Sequence, residues 1–380
     1  MRATPAGITG GYGTGMRRPA RTVRFGSREI GEGHPCFVTF EAGPTHDGVA
    51  SAKGLIDAAA NAGADAIKFQ ILDPDRLVAD RRQMFRYEVL VDRETGATET
   101  VEEPLYDILC RRALSPDQWR EVKRHADSRG LAFFATVGFT EEITLLEDLG
   151  CASLKIASAD VNHLPLIRRA ARSGMCIQLD TGRSTLGEIE TAIDVILEEG
   201  NRDVIVHQCP SGYPARLDSI NLRIIPTLKR MFELPVAYSD HTPGWEMDIA
   251  AVALGADLVE KTITFDRTTR SVEHIMSLEP GEMKAFVRAI RDLERALGVP
   301  RHVLSREERV AREAIRRSVH LLEEAPAGTK LGELRVEFRR PGYGIAPDLF
   351  ERLLDFRLAR DLPAGHRLSL ADLAGSREET

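Results

Sequence analysis

The chain has 380 residues, 43% hydrophobic and 29% charged, a length for about two domains and a composition that excludes disordered, collagenous and coiled-coil classes. Its 51 basic and 58 acidic residues give a net charge of −7, which argues against a nucleic-acid partner but leaves room for a local basic pocket. Five cysteines (Cys36, Cys110, Cys151, Cys176, Cys209) form no CxxC pair, so a disulfide framework or structural zinc is not expected and a reducing, cytoplasmic setting is. No run approaches the roughly 18 apolar residues of a membrane span. Residues 1–21 carry arginines without the apolar stretch of a signal peptide and read as a flexible leader.

From residue 36 to about 298, within a barrel domain expected at 22–298, one unit recurs: a short apolar run, a polar loop and a helix-period segment. The runs lie at 36–43, 65–70, 131–137, 153–158, 176–182, 203–209, 235–240 and 257–264. Such short, continuous apolar runs fit strands buried on both faces of a parallel sheet. Ser115-Pro116-Asp117-Gln118 and Thr185-Leu186-Gly187-Glu188 read as capping boxes that start helices. Gly63, Gly150, Gly174, Gly200 and Gly255 stand where helices should stop. Eight strand-helix units in this length predict a (β/α)8 TIM barrel, with an open doubly wound sheet as the alternative. The segment 79–113, between the second strand and its helix, is long enough for a lid over the strand ends. A charged, helix-prone linker is expected at 299–317. Beyond it, at 318–380, LLEEAPAGTKLGEL and LARDLPAGHRLSLADL echo one another, which predicts a small loop-rich domain with pseudo-repeated halves.

A parallel barrel carries its chemistry on the C-terminal ends of its strands, and here those ends are polar. In order they offer Glu41, Lys68 and Gln70, Thr136, Lys155 and Ser158, Asp180 and Thr181, Gln208, Ser211, Ser239, Asp240 and His241, then Glu260. An isolated lysine in an apolar strand usually snorkels to solvent. Two at the same end of neighbouring strands favour an anion site, with Ser158, Ser211 and Ser239 as hydroxyl donors. Glu41, at the end of a buried strand, is either an acid-base group or the partner of a lysine. His241, beside Asp240 and Glu260, is a candidate ligand for Mg or Mn in an oxygen-rich site; His46, His163, His207 and His274 are weaker candidates.

The ordered set EAGPTHDG, AGADAIKFQ, LKIASAD, LDTG, QCPSGYP, YSDHT, VALGADLVEK, HIMSLEP and RRPGYGIAP resembles the sialic acid synthase family over about residues 22–375. The resemblance implies a barrel followed by an antifreeze-like (SAF) domain, working as a domain-swapped homodimer with a divalent cation. It implies condensation of phosphoenolpyruvate with an amino-sugar aldehyde, either an N-acylmannosamine or a 2,4-diacetamido-trideoxy hexose, to give a nonulosonic acid and phosphate. On that basis Lys68, Gln70, Thr136, Lys155, Ser158, Ser211 and Ser239 would bind phosphoenolpyruvate. Glu41 and Glu260, with His241, would be catalytic. Asp160, Tyr213, Asp240 and Glu273 would contact the sugar, and Arg340 would reach the partner's site. Four positions depart from the family pattern, and two of them, Asp160 and Glu273, exchange Glu and Asp and change reach by one methylene. Asp180 replaces a common serine, and Thr262 stands where a second metal-binding histidine is expected, leaving His241 as the metal ligand. Two alternatives stay open: a Schiff-base aldolase using Lys68 or Lys155 on pyruvate, and an altered paralogue with another acceptor or a binding role.

Overall fold

A computed structural model describes residues 22–210, 212–299 and 301–374, so the expected leader at 1–21 and Ser211 lie outside the described residues. The chain divides into two compact units, Met1–Gly298 and Val299–Thr380.

Each of the eight apolar runs forms a strand: Phe37–Glu41, Ala66–Gln70, Ala132–Val137, Ser153–Ile156, Cys176–Asp180, Val204–Gln208, Val236–Asp240 and Leu258–Thr262. They are parallel and close into a barrel, the eighth pairing with the first through Thr262 and Glu41. The open-sheet alternative is thereby overturned. The helices start and stop where the local chemistry directs. Ser115 and Thr185 each accept a hydrogen bond from the third helical N–H and receive the reciprocal bond. The five glycines expected to end helices all have φ between 67° and 100°, a region costly for any side chain.

Side chains alternate along each strand. Val38, Phe40, Ile67, Phe69, Leu154, Ile156, Leu179 and Val259 pack outward against the helices in one buried core. An antiparallel hairpin, Thr22–Phe25 with Arg28–Gly31, precedes the barrel and was not anticipated from the sequence. Its Val23, Phe25 and Ile30 pack against Phe37, Ala66, Cys176, Ile205, Ala237 and Leu258 at the N-terminal ends of the strands. One end of the lumen is thus filled with apolar side chains, and polar groups gather at the other.

Residues 79–113 contain a second hairpin, Met84–Leu90 with Thr98–Pro104, and a short helix, Leu105–Cys110. Tyr87, Val89 and Val101 pack on Ile108 and on Val272, which follows the eighth strand. Arg93 pairs with Asp266 and Glu279, and Arg270 is bidentate to Glu99 at 2.8 and 2.9 Å. The hairpin is therefore latched to the loop after the last strand.

In the second unit a helix, Arg306–Ile315, occupies the expected linker, and Ser318–Leu321 pairs with Val336–Arg339. The repeated halves are visible in the backbone. Gly328 N donates to Leu358 O and Gly365 N to Leu321 O, both at 2.8 Å, while Ala325 and Leu362 exchange two bonds of 2.9 Å. Val319, Leu331, Leu358 and Leu368 from both halves share one core. Among the described residues no helix is long and apolar enough to cross a membrane.

Candidate active site

The alternation that sends Ile67, Leu154 and Val259 outward turns Lys68, Lys155 and Glu260 into the lumen. Glu260 Oε1 accepts from Lys68 Nζ at 2.8 Å, Lys155 Nζ at 2.7 Å and Ser239 Oγ at 3.1 Å. Lys68 also pairs with Glu41, and Lys155 lies 3.0 Å from Asp180 Oδ1. The result is a buried chain of alternating charge, Glu41–Lys68–Glu260–Lys155–Asp180, drawn from five strands. Both lysines are at most 4% exposed, so neither snorkels. Glu41 is fixed by the Gly43 N–H at 2.5 Å; a Cβ at residue 43 would lie 2.6 Å from that carboxylate oxygen and 2.7 Å from Gln70 N. Below the chain, His207 Nε2 meets Gln178 Oε1 at 2.8 Å, and Gln178 Nε2 donates to Ser153 Oγ at 3.0 Å.

The charges in this chain are not equivalent. Burial works against the Lys68 ammonium, but Glu260, Glu41 and Asp180 outweigh it and raise its pKa well above the usual lysine range. Burial also pushes Glu260 up, yet Lys155, Lys68 and His207 prevail and hold it well below the usual carboxylate range. Glu41 and Asp180 are raised, chiefly by burial, with the repulsion from Glu260 added to a partial offset by the lysines. Glu273 is pushed up to about 7 by burial and by Glu41. Glu260 therefore stays ionised, Glu273 is poised to exchange a proton near neutrality, and Glu41 is shifted toward its protonated form.

These groups line a cavity of about 400 Å³ at the C-terminal ends of the strands. Of the residues singled out in the sequence, Glu41, Lys68, Gln70, Thr136, Lys155, Ser158, Ser239, His241 and Glu260 face it, as do Asp160, Asp180, Tyr213 and Glu273. Phe85, Leu105, Ile108 and Leu109 of segment 79–113 supply an apolar wall. A wider depression of about 900 Å³ beside Gln208 and Asn221 holds no lysine or carboxylate. Arg340 belongs to the second unit.

Asp240 is not brought to the cavity. Ser239 points inward, so Asp240 points outward, 1% exposed, where it accepts from Tyr238 Oη at 3.0 Å and Thr242 Oγ1 at 2.9 Å and pairs with Lys261. It thereby holds the turn that carries His241. The correction follows from the two-residue period of a strand, which separates adjacent Ser239 and Asp240 onto opposite faces.

His241 is half-buried, and its Nδ1 lies 3.1 Å from the carbonyl of Pro210, which can only accept. The proton is therefore on Nδ1 and Nε2 keeps its lone pair. Burial lowers the His241 pKa, which favours the neutral ring that a metal requires. Thr262 is buried and offers only a hydroxyl. Among the described residues no three His, Cys, Asp or Glu side chains stand together as a metal cluster. The donors thus fit a divalent cation through His241, with the remaining ligands left to water and substrate oxygens. The other histidines have structural places: His163 caps a helix by accepting from Leu166 N, His274 Nδ1 meets Thr264 Oγ1 at 2.7 Å, and His46 packs between Phe69 and Trp119.

The sequence reading missed two cavity residues. Arg112 lies in a charged segment with no motif around it. Glu142 is hidden in the first turn of the helix Thr140–Asp148, where it accepts from Gly138 N at 2.6 Å and Phe139 N at 3.0 Å. Burial pushes Glu142 up to about 7, above its ordinary 4.5. Its favourable contribution is complete below about pH 4.5 and is lost as pH rises through about 7. Glu142→Gln should therefore match the wild type in acid and exceed it by about 2–3 kcal/mol at pH 8, as read by urea unfolding at both pH values. Equal stabilities at pH 8 would show that the carboxylate is not held neutral.

The chain has close relatives among proteins of known kind. Residues 55–302 match the NeuB family. N,N'-diacetyllegionaminic acid synthase of Legionella pneumophila is 34% identical over 350 residues, 90% of this chain and 96% of that one. N-acetylneuraminate-9-phosphate synthase of Homo sapiens is 32% identical over 307 residues, 80% of this chain and 83% of that one. The crystal structure of N-acetylneuraminic acid synthetase from Leptospira borgpetersenii, in complex with citrate, superposes with a TM-score of 0.67 at 29% identity, covering 78% of this chain and 97% of that one. Similarity over this much of the sequence, on a closed barrel with a charged cavity at its strand ends, makes the chain a member of the NeuB family and an enzyme of the sialic acid synthase type.

Proposed function

We propose that the protein condenses phosphoenolpyruvate with an aldose of the N-acylmannosamine or 2,4-diacetamido-trideoxy hexose class, giving a nonulosonic acid and phosphate. The observation that carries this reading is Glu260 bridging Lys68 and Lys155 in a cavity ringed by hydroxyls. Two ammonium groups held side by side form a receptor for phosphate and carboxylate oxygens. The raised pKa values of Glu41 and Asp180 let those carboxylates take up protons as the anion displaces them, so the lysines are freed without leaving bare buried charge.

The reaction then balances as follows. C3 of phosphoenolpyruvate bonds to the aldehyde carbon, whose oxygen takes the proton that Glu41 acquired on substrate binding and becomes a hydroxyl, leaving Glu41 as a carboxylate. Water adds to the cationic C2 and loses a proton to Glu41. The tetrahedral intermediate then breaks its C2–O bond to phosphate, passes its hydroxyl proton to the departing phosphate and forms the ketone. Lys68 and Lys155 stabilise the departing phosphate, and Glu260, ionised throughout, keeps the two lysines in place. A divalent cation held by His241 supplies Lewis-acid polarisation to the acceptor when it is bound.

The Schiff-base alternative is opposed by the geometry. An amine nucleophile needs a lowered pKa, whereas the carboxylates raise that of Lys68, and Lys155 is paired with two carboxylates of its own. Incubation with phosphoenolpyruvate and a panel of acceptor aldoses, read by phosphate release and product mass, tests the proposal. Turnover with any acceptor removes the silent-paralogue reading. A borohydride-stable pyruvyl adduct on either lysine would overturn the phosphoenolpyruvate reading.

Residues 318–380 serve, in this proposal, as an antifreeze-like domain in a cytoplasmic, domain-swapped homodimer, with Arg340 reaching the partner's acceptor sugar. Mixing Arg340→Ala chains with Glu41→Gln chains should then restore activity that neither has alone. A mixture that stays inactive after confirmed subunit exchange would refute the swap.

A further inference from the structure

The cavity holds a third cation whose role differs from that of the two lysines. Lys68 and Lys155 are each paired with two carboxylates. Arg112 also lines the cavity and is 6% exposed, yet its side chain makes no hydrogen bond or ion pair with any described residue, and its Nε is buried without a partner. Its neighbour in sequence behaves in the opposite way: Arg111 is bidentate to Glu103 at 2.7 and 2.9 Å. Arg112 is placed by the end of the helix Leu105–Cys110, where its backbone N–H donates to Leu109 O at 3.0 Å. Leu105, Ile108 and Leu109 form the adjoining apolar wall. Burial lowers its pKa, and Glu273 and Glu41 offset that only through space.

A buried, unpaired guanidinium destabilises a protein unless an anion arrives to meet it. Its planar fork matches the two oxygens of a carboxylate or phosphate, and a low-dielectric wall strengthens the contact. We propose that Arg112 is a binding residue for a substrate oxyanion, taken up beneath the hairpin Met84–Leu90/Thr98–Pro104. The inference rests on the condensation reading above. The oxyanion has two possible sources: the carboxylate or phosphate of phosphoenolpyruvate, or a phosphate borne by the acceptor sugar.

The test compares wild type, Arg112→Gln and Arg112→Lys in calorimetric titrations with phosphoenolpyruvate. Steady-state KM values are measured for N-acetylmannosamine and for its 6-phosphate. If the oxyanion belongs to phosphoenolpyruvate, Arg112→Gln should weaken its binding at least tenfold and Arg112→Lys should recover part of the loss. If it belongs to the acceptor, phosphoenolpyruvate binding stays level and Arg112→Gln removes a preference for the phosphorylated sugar. Binding and KM ratios within twofold of wild type would overturn the inference. So would equal losses for charged and neutral ligands that lysine does not relieve, since that pattern marks packing alone. If Arg112→Gln does not fold, Arg112→Lys carries the same comparison, because it keeps the charge and loses the fork. Wild-type phosphate release separates the two levels of argument: turnover with unaffected Arg112 variants sinks the inference only, whereas no binding or consumption of phosphoenolpyruvate by wild type sinks the reading itself.

Discussion

Lys155→Met should abolish phosphoenolpyruvate binding and destabilise the barrel by about 3–5 kcal/mol, the cost typical of removing one partner from a buried ion pair. The stability loss arises because Asp180 and Glu260 would face one another without the ammonium that lies 3.0 and 2.7 Å from them. Because the lysine is paired twice, the fold suffers together with binding. Both carboxylates would rise in pKa, so the variant should regain stability as pH falls and they accept protons. Adding Asp180→Asn should recover stability at neutral pH but not binding. Calorimetric titration together with urea unfolding at two pH values reads both effects. Unchanged affinity in Lys155→Met would show that the lysine is only a structural counter-charge.

Glu41→Gln should lower kcat by about 10²–10⁴, the usual range for losing a general acid-base group, while phosphoenolpyruvate binding holds or tightens. Tightening is expected because Glu41 competes with the substrate for Lys68. Glu260→Gln should instead weaken binding and loosen the fold, since both lysines depend on its Oε1. Single-turnover kinetics alongside equilibrium titration separates the two glutamates. Equal binding losses in the two variants would mean that Glu41, too, serves mainly as a clamp.

How much of this was legible in the sequence depended on whether a residue's environment was written next to it. The eight strands were, because continuous apolar runs ending in polar residues have few other uses in a parallel sheet. The lysines stood out because IKFQ and LKIAS offer a charge no local partner. Lys261 was overlooked for the converse reason: it follows Glu260 directly and reads as half of an ordinary charged pair, though the barrel places the two on opposite faces. Arg112 could not be read, because the apolar surroundings that make it notable come from Leu105, Ile108 and Leu109, assembled only when the segment folds. The hairpin within 79–113 had a signal, the alternation in FRYEVL and the Gly96 turn, but its seven-residue strands were submerged in a length argument. The charge order Glu41–Lys68–Glu260–Lys155–Asp180 was beyond the sequence, since it is set by barrel closure rather than by chain order.

The two-sided charge of the last barrel strands also bears on how the barrel chooses its shear. Glu260 and Ser239 face the lumen, while Lys261 and Asp240 face the helix layer near Asp248. Slipping the eighth strand by one residue would turn Lys261 inward beside Lys68 and Lys155. It would turn Glu260 outward toward Asp240 and Asp248. Outside, three carboxylates would then meet with no lysine between them, and inside three lysines would share only Glu41 and Asp180, both in a medium that screens charge poorly. Misregistered closure is thus repelled from both sides of the same backbone, and the groups that prepare the cavity for an anion also select the single stagger in which the barrel can shut.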